Sequence, residues 1–262
     1  MKEVTQLALT TVLALILISC AYTGAATSPT AATAQIETPQ FECTAPTRVV
    51  LLVDKTGSAE RHRTPLVKPE DLDPLYEILL ACGGEIAAGQ ITDRSNRPLL
   101  RVRLDEPELP PPPTSQDRNP FEYGPLRRAE LARRQLVEEH NRQREQDGAE
   151  RIRLFDQELS PLLSAAPSHP CSDVNGGLNR AALFHEEPDL TWNRAPRKYT
   201  LMVSDAEHNC GAPQRHPLAG VRLMMINGEA GYGSLRPDEA VRLERFDAAL
   251  RLILTEYARK EN

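Results

Sequence analysis

Nowhere in its 262 residues does the chain carry the run of ~20 apolar residues that a membrane-spanning helix needs. The longest apolar stretch, Leu7 to Ile18, is too short to span and suits the core of a signal peptide. Basic residues do not predominate. A formal net charge of −6, with no pattern of basic residues interleaved with aromatics, argues against nucleic acid as a partner. The five cysteines include no Cys-x-x-Cys spacing, which argues against a structural zinc site. There are no internal repeats. What remains, at 40% hydrophobic and 26% charged, is an ordinary globular composition. The length fits about one domain on the usual scale of roughly 100–200 residues.

Within that chain, Val49-Val-Leu-Leu-Val-Asp54 is a continuous apolar run that stops at a carboxylate, followed by Lys55-Thr-Gly-Ser58. Such a run suits a strand buried on both faces, as in a parallel sheet covered by helices. Ligands of these sheets bind at the carboxyl ends of the strands. A second segment, Tyr199-Thr-Leu-Met-Val-Ser-Asp205, ends the same way. Two strands thus carry an Asp each to one rim, with the hydroxyls of Thr56 and Ser58 beside the first. Oxygen-only donors of this kind suit a hard cation such as magnesium. The plainer reading is helix N-capping, which accounts for Ser58 better than for two Asp at separate strand ends plus Thr56.

Asp54-x-Thr56-x-Ser58 after a buried strand, with Val203-Ser-Asp205 ending a later one, resembles the von Willebrand factor A domain. That family carries a metal-ion-dependent adhesion site built from an Asp-x-Ser-x-Ser loop, a Thr from a second loop and an Asp from a third. The resemblance covers residues 47–104 and 155–257. It implies a doubly wound α/β fold: a mostly parallel sheet with helices on both faces in three layers. It also implies metal ligation by Asp54, Thr56, Ser58, Ser172 and Asp205, with Mg²⁺ the expected ion and Mn²⁺ or Ca²⁺ as alternatives. Ser172 comes from Cys171-Ser-Asp-Val174, where Asp173 is an alternative ligand and Ser172 a possible cap. The chain departs from the family in having Thr56 for the first Ser, Ser172 for the Thr, and Ala206 where a Gly commonly follows the third-loop Asp. Each hydroxyl exchange keeps an oxygen ligand.

The N-terminus carries an address. Leu17-Ile-Ser-Cys20 after the apolar stretch resembles the bacterial lipobox, in which the Cys is acylated and becomes the mature N-terminus. The alternative is an ordinary secretory signal with an incidental Cys. Acyl chains on Cys20 hold a protein on a membrane, at ~0.8 kcal/mol per buried methylene. Ala21 rather than Asp after the Cys resembles the pattern of outer-membrane lipoproteins. The expected organisation is therefore a signal peptide at 1–20, a flexible Ala/Thr/Pro/Ser tether at 21–46, and a domain at 47–262. That places the protein in the bacterial cell envelope, on its periplasmic or surface face.

Without Cys20, four cysteines remain. On the topology that the resemblance implies, Cys43 and Cys82 lie at the bottom edge of the sheet, and Cys171 and Cys210 at the top. Pairing 43–82 and 171–210 then respects the ~7 Å Cα limit, with four free buried thiols as the alternative.

Periodicity places a helix at Asp71–Cys82, a hairpin of strands at Glu85–Thr92 and Leu99–Leu104, and a strand at Gly220–Ile226. A final helix is expected over Pro237–Ala258. The short Asn209–Leu218 connection suggests a version of the family that lacks a last strand. Five prolines between Pro107 and Pro113 predict an extended spacer, followed by an Arg/Glu-rich helix at Leu126–Asp147. Together these form an insertion at about 105–153, read either as a projecting arm for a partner or as a solvated helix. Leu154–Leu163 is then a separate amphipathic helix. Lys55 and His208 are expected at the surface, with a functional role for His208 as the alternative. Trp192 reads as a core plug, or as a recognition aromatic if exposed.

The expected function is that of a membrane-anchored binding or adhesion protein, not an enzyme, taking a carboxylate of a protein partner at the cation. Two rivals stand beside it. Asp54-Lys-Thr-Gly-Ser58 also resembles the phosphoaspartyl loop of haloacid-dehalogenase-like hydrolases, with Asp54 as nucleophile. The second rival is a metal-free interaction scaffold.

Overall fold

A computed structural model describes residues 41–110, 112, 120–188, 191–227 and 235–258. The expected signal peptide with Cys20, the expected tether up to residue 40 and prolines 111 and 113 lie outside the described residues. The unbroken apolar run forms strand β1 (Thr47–Asp54), and all eight of its residues are buried. Its side chains alternate. Val49, Leu51 and Val53 enter one core cluster, and Val50 and Leu52 enter another on the opposite face.

Around β1 the sheet adds β2 (Gly84–Ile91), β3 (Leu100–Leu104), β4 (Arg197–Val203), β5 (Val221–Ile226) and β6 (Val241–Leu243). Their order is β3-β2-β1-β4-β5-β6, parallel throughout except for the antiparallel edge strand β3. The first cluster is closed by α2 (Asp73–Cys82), α3 (Pro120–Ser164) and α5 (Phe246–Tyr257), and the second by α4 (Val174–Glu186). This is the expected doubly wound α/β sandwich. Its strand order reverses at β1, so the crevice beyond the carboxyl ends of β1 and β4 is where such a sheet receives a ligand. Among the described residues no helix is long and apolar enough to cross a membrane.

The turn from α2 into β2 depends on glycine. Gly83 ends the helix at φ +75, and a Cβ on Gly84 (φ +134) would lie 2.1 Å from the Thr47 carbonyl oxygen. Disulfides join Cys43 to Cys82 (Cα–Cα 5.0 Å) and Cys171 to Cys210 (5.9 Å). The first fastens the lead into β1 to the end of α2. At the same lower end Arg48 is fully buried, with its guanidinium 4.9 Å from the Trp192 ring centroid and 5.4 Å from that of Phe184. It donates to the Glu187 carbonyl at 2.9 Å and lies 3.8 Å from Glu85. Trp192 itself is buried, as expected of a plug, and donates to the Leu104 carbonyl.

Two element assignments are corrected. The charged helix and the amphipathic segment after it are one 45-residue helix, α3. It docks where the insertion was expected to end. Arg144 donates to the carbonyls of Leu80 and Asp105, and Gly148 lets the helix axis approach Leu104 and Leu80. Ile152, Phe155, Leu159 and Leu163 then face the core at helical spacing. Upstream, Leu131 and Leu136 are exposed. At Asn141 the helix is met by the start of the Pro-rich segment, through paired hydrogen bonds with the Glu108 backbone (2.8 and 2.9 Å). The second correction concerns the C-terminus, where α5 begins only at Phe246. Val241-Arg-Leu243 before it forms β6 along β5, so the last strand expected to be missing is present. Those three residues alternate as well as they follow a helical period. Hydrogen bonding to the open edge of β5 decides between the two.

Candidate functional site

Three loops meet above β1 and β4. The first runs from Asp54 into the five-residue helix α1 (Gly57–Arg61), the second is the entry to α4, and the third follows β4. They bring together four of the five residues expected at the site by direct hydrogen bonds. Asp54 Oδ1 accepts from the Thr56 backbone N–H (3.0 Å) and from Thr56 Oγ1 (2.7 Å). Thr56 Oγ1 lies 2.7 Å from Ser172 Oγ and 3.1 Å from Ser58 Oγ, and the two serine oxygens are 3.4 Å apart. All three hydroxyl residues and Asp54 are buried. A hydroxyl has one proton and two lone pairs. The Thr56 proton goes to Asp54, so Ser58 and Ser172 must donate to Thr56.

Asp205, the fifth, lies close enough to Asp54 for its charge to help raise the Asp54 pKa. The larger cause is burial, and hydrogen bonds from Ser204 and Thr56 oppose it. The Asp205 carboxylate is turned to its own loop and to α1. Oδ1 accepts from the Glu207 backbone N–H at 3.0 Å, and Oδ2 lies 3.0 Å from His62 Nδ1. Ala206 between them takes left-handed backbone at φ 58. It stands where the resembled family commonly has Gly, and a Cβ there costs roughly 1–2 kcal/mol.

Asp173 is engaged by backbone donors. Its side chain caps α4 by accepting from Gly176 N–H (2.9 Å), and it also accepts from Ala212 N–H (2.8 Å) and Ser95 N–H (3.2 Å). It serves as a loop clasp and leaves Ser172 to face the hydroxyls. Gly211, at φ +85, is required by that clasp, since a Cβ there would meet the Asp173 carboxyl carbon at 2.0 Å.

Lys55 was expected at the surface and is instead 4% exposed, with Nζ donating to the Leu163 carbonyl at 2.5 Å. The next residue after a strand end points to the opposite face. Here that face offers the last carbonyls of α3, which need a donor and favour a cation. Burial lowers the Lys55 pKa, and nearby Asp54 opposes the shift. His208 faces the second loop, its Nδ1 3.5 Å from the Asn175 N–H.

Sequence reasoning missed Ser204, His62, Glu207 and Asn209. Ser204 donates to Asp54 Oδ2 at 2.5 Å and so occupies the second oxygen of that carboxylate. Its signal was available, a hydroxyl next to Asp205 at a strand end. Asn209 ties the third loop to the second by accepting from Ser172 N–H (2.8 Å) and donating its own N–H to the Ser172 carbonyl (3.2 Å). His62 gave no signal, because only the turn after α1 carries it across to Asp205.

No family model matches the sequence, and no curated protein does either. Among solved structures the chain is similar to proximal thread matrix protein 1 from the mussel byssus. The identity is 11% and the TM-score 0.40, over 82% of this chain and 48% of that one. A second structure of that protein, with a zinc-occupied MIDAS motif, matches at 12% identity and TM-score 0.38 over the same shares. The pilus adhesin SpaC of Lactobacillus rhamnosus GG, in its open conformation, matches at 8% identity and TM-score 0.40, over 83% of this chain and 30% of that one. The chain therefore spans less than half of each of these proteins.

Proposed function

We propose that this is an extracytoplasmic binding protein of the von Willebrand factor A type, which holds a divalent cation between its first and second loops and takes a partner's carboxylate there. The observation that carries the reading is the triangle of buried hydroxyl oxygens of Thr56, Ser58 and Ser172, with edges of 2.7, 3.1 and 3.4 Å. Ligands at ~2.1 Å in an octahedron are about 3 Å apart along an edge, so the triangle matches one face of a magnesium or manganese site. Calcium, with oxygens at about 2.4 Å, needs edges of roughly 3.4 Å.

Thr56, Ser58 and Ser172 would hold the ion directly. Asp54 orients Thr56 and, with Asp205, supplies negative charge close by. A cation with mostly neutral direct ligands supplies an electrophilic position for a carboxylate. The hydroxyls are held by Asp54, Ser204 and Asn209, so little ordering is left to occur when a ligand arrives.

The phosphoaspartyl alternative is weakened by the same contacts. Both Asp54 oxygens are occupied by hydrogen bonds, and Lys55 is turned away to Leu163. In this reading residues 47–262 form the binding domain, with the Pro-rich segment and the free part of α3 as its insertion. A lipidated Cys20 and the tether would hold it at the cell envelope, and the two disulfides suit an oxidising compartment.

Calorimetric titration of the purified full chain with magnesium and manganese tests the reading. Binding is expected in the wild type and lost in Thr56→Ala and Asp54→Ala, while thermal unfolding shows that each variant is folded. Full retention of affinity by folded Thr56→Ala would exclude the site.

A further inference from the structure

We infer that His62, Asp205 and Glu207 form a second metal site, which takes an imidazole-seeking divalent ion of the zinc, cobalt or nickel kind. The ligand atoms are already gathered. His62 Nδ1 lies 3.0 Å from Asp205 Oδ2 and 3.8 Å from Glu207 Oε1, and all three ligand atoms lie within 4.8 Å of one another. Ligands at ~2.0–2.2 Å in a tetrahedron are roughly 3.3–3.6 Å apart, a value between these two distances. Closing the group around an ion therefore needs shifts of only a few tenths of an ångström along each of these two edges.

The chemistry differs from that of the hydroxyl triangle. A neutral imidazole nitrogen with two carboxylates suits a borderline ion, whereas three hydroxyls suit a hard one. The two carboxylates would balance the charge of a divalent ion. Asp205 is the fixed member, its side chain 1% exposed, with Oδ1 held by the Glu207 N–H. Such a hydrogen bond orients a ligating carboxylate. His62 and Glu207 are 42% and 44% exposed, so the mouth of the site is open to solvent. Three protein ligands and an open position leave room for an exchangeable fourth ligand. The left-handed turn at Ala206 brings Glu207 back beside Asp205, and another at Arg63 (φ 51) directly follows His62.

Asp205 also stands beside Asp54, so an ion held by His62 would place positive charge next to the hydroxyl triangle. The inference does not depend on that triangle binding a cation, and the two fail separately. The test uses the purified full chain, with zinc followed by calorimetry and cobalt by its visible absorption. The wild type is expected to bind one zinc with a cobalt spectrum of nitrogen and oxygen ligation. His62→Ala and Glu207→Gln are each expected to lower zinc affinity by about 10-fold or more, and to leave magnesium binding as in the wild type. Thr56→Ala is expected to do the reverse. Wild-type protein that takes up neither zinc nor cobalt would overturn the site, as would His62→Ala with wild-type zinc affinity. Loss of magnesium binding alone would count against the proposed function and leave this site standing.

Discussion

Lowering the pH should destabilise this protein through a residue at the far end of α4 from the site. His185 is 2% exposed and its Nε2 lies 3.1 Å from Thr200 Oγ1. Burial, followed by the charges of Arg48 and Lys198, pushes its pKa down to about 3 from an ordinary 6.5. Its own carbonyl accepts from the Lys198 ammonium at 2.7 Å, which keeps a cation near the imidazole. The folded state thus keeps His185 neutral to a lower pH than the unfolded chain does. The stability this contributes is complete above pH 6.5 and is lost as the pH falls toward 3. At ~1.4 kcal/mol per pKa unit, moving from pH 7.5 to pH 5 costs about 2 kcal/mol through this one residue.

Asp54 works in the opposite sense. Its carboxyl is held above the usual range, so protonation relieves the cost of burying it. The measurement must therefore be a difference. Urea unfolding of wild type and His185→Gln, with disulfides intact, should be followed from pH 7.5 to 5. Glutamine keeps a polar contact for Thr200 and cannot titrate. The wild type should lose about 2 kcal/mol more than the variant, with the gap opening below pH 6.5. Parallel stability curves would refute the reasoning, because everything else that titrates is common to both proteins.

Three further outcomes follow from the loops and the proposed N-terminal anchor. Ala206→Gly relieves left-handed backbone at φ 58 and should stabilise the protein by about 1 kcal/mol in urea unfolding; a loss of stability would show that the Ala206 methyl is needed by its neighbours. Gly211→Ala adds a Cβ 2.0 Å from the Asp173 carboxyl carbon at φ +85, and should cost about 2–3 kcal/mol through backbone strain and the lost α4 cap, with a change under about 0.5 kcal/mol counting against the clasp. On the proposed lipid anchoring, Cys20→Ser should move the protein from the membrane to the soluble fraction, and unchanged fractionation would count against Cys20 as the anchor.

The parts of the fold that could be read from sequence are those in which burial leaves one solution. Val49 to Val53 is apolar at every position and β-branched at three of the five, which suits a strand covered on both faces. The antiparallel hairpin β2–β3 was legible from its turn residues. Where two periods fit the same residues, sequence misled. Val241-Arg-Leu243 was absorbed into a helix, because the open edge of β5 cannot be seen in one dimension. The segment 148–153 was left between two helices, whereas α3 runs through it, with Gly148 letting Leu104 and Leu80 pack against the helix axis. Lys55 was placed outside by its charge. Its four-carbon stem reaches the end of α3, a distance no spacing rule contains.

The same contrast explains what was visible of the site. Asp54, Thr56, Ser58 and Ser172 are joined by direct contacts because each sits at a fixed offset from a strand end or helix start, and offsets are a sequence property. Ser204 and Asn209 act by holding those residues, and His62 and Glu207 meet Asp205 from separate loops, Glu207 across the left-handed Ala206. Asp205 is therefore the residue on which the two proposed ions would compete or cooperate. Its Oδ1 is committed to the Glu207 N–H and its Oδ2 to His62, while its charge is felt at Asp54. An ion drawn to His62 would offset the charge that Asp205 presents to Asp54, and so weaken the attraction of the hydroxyl triangle for a cation of its own. Magnesium affinity should accordingly fall when zinc is saturating, and that antagonism should disappear in His62→Ala, which keeps the triangle and its charge.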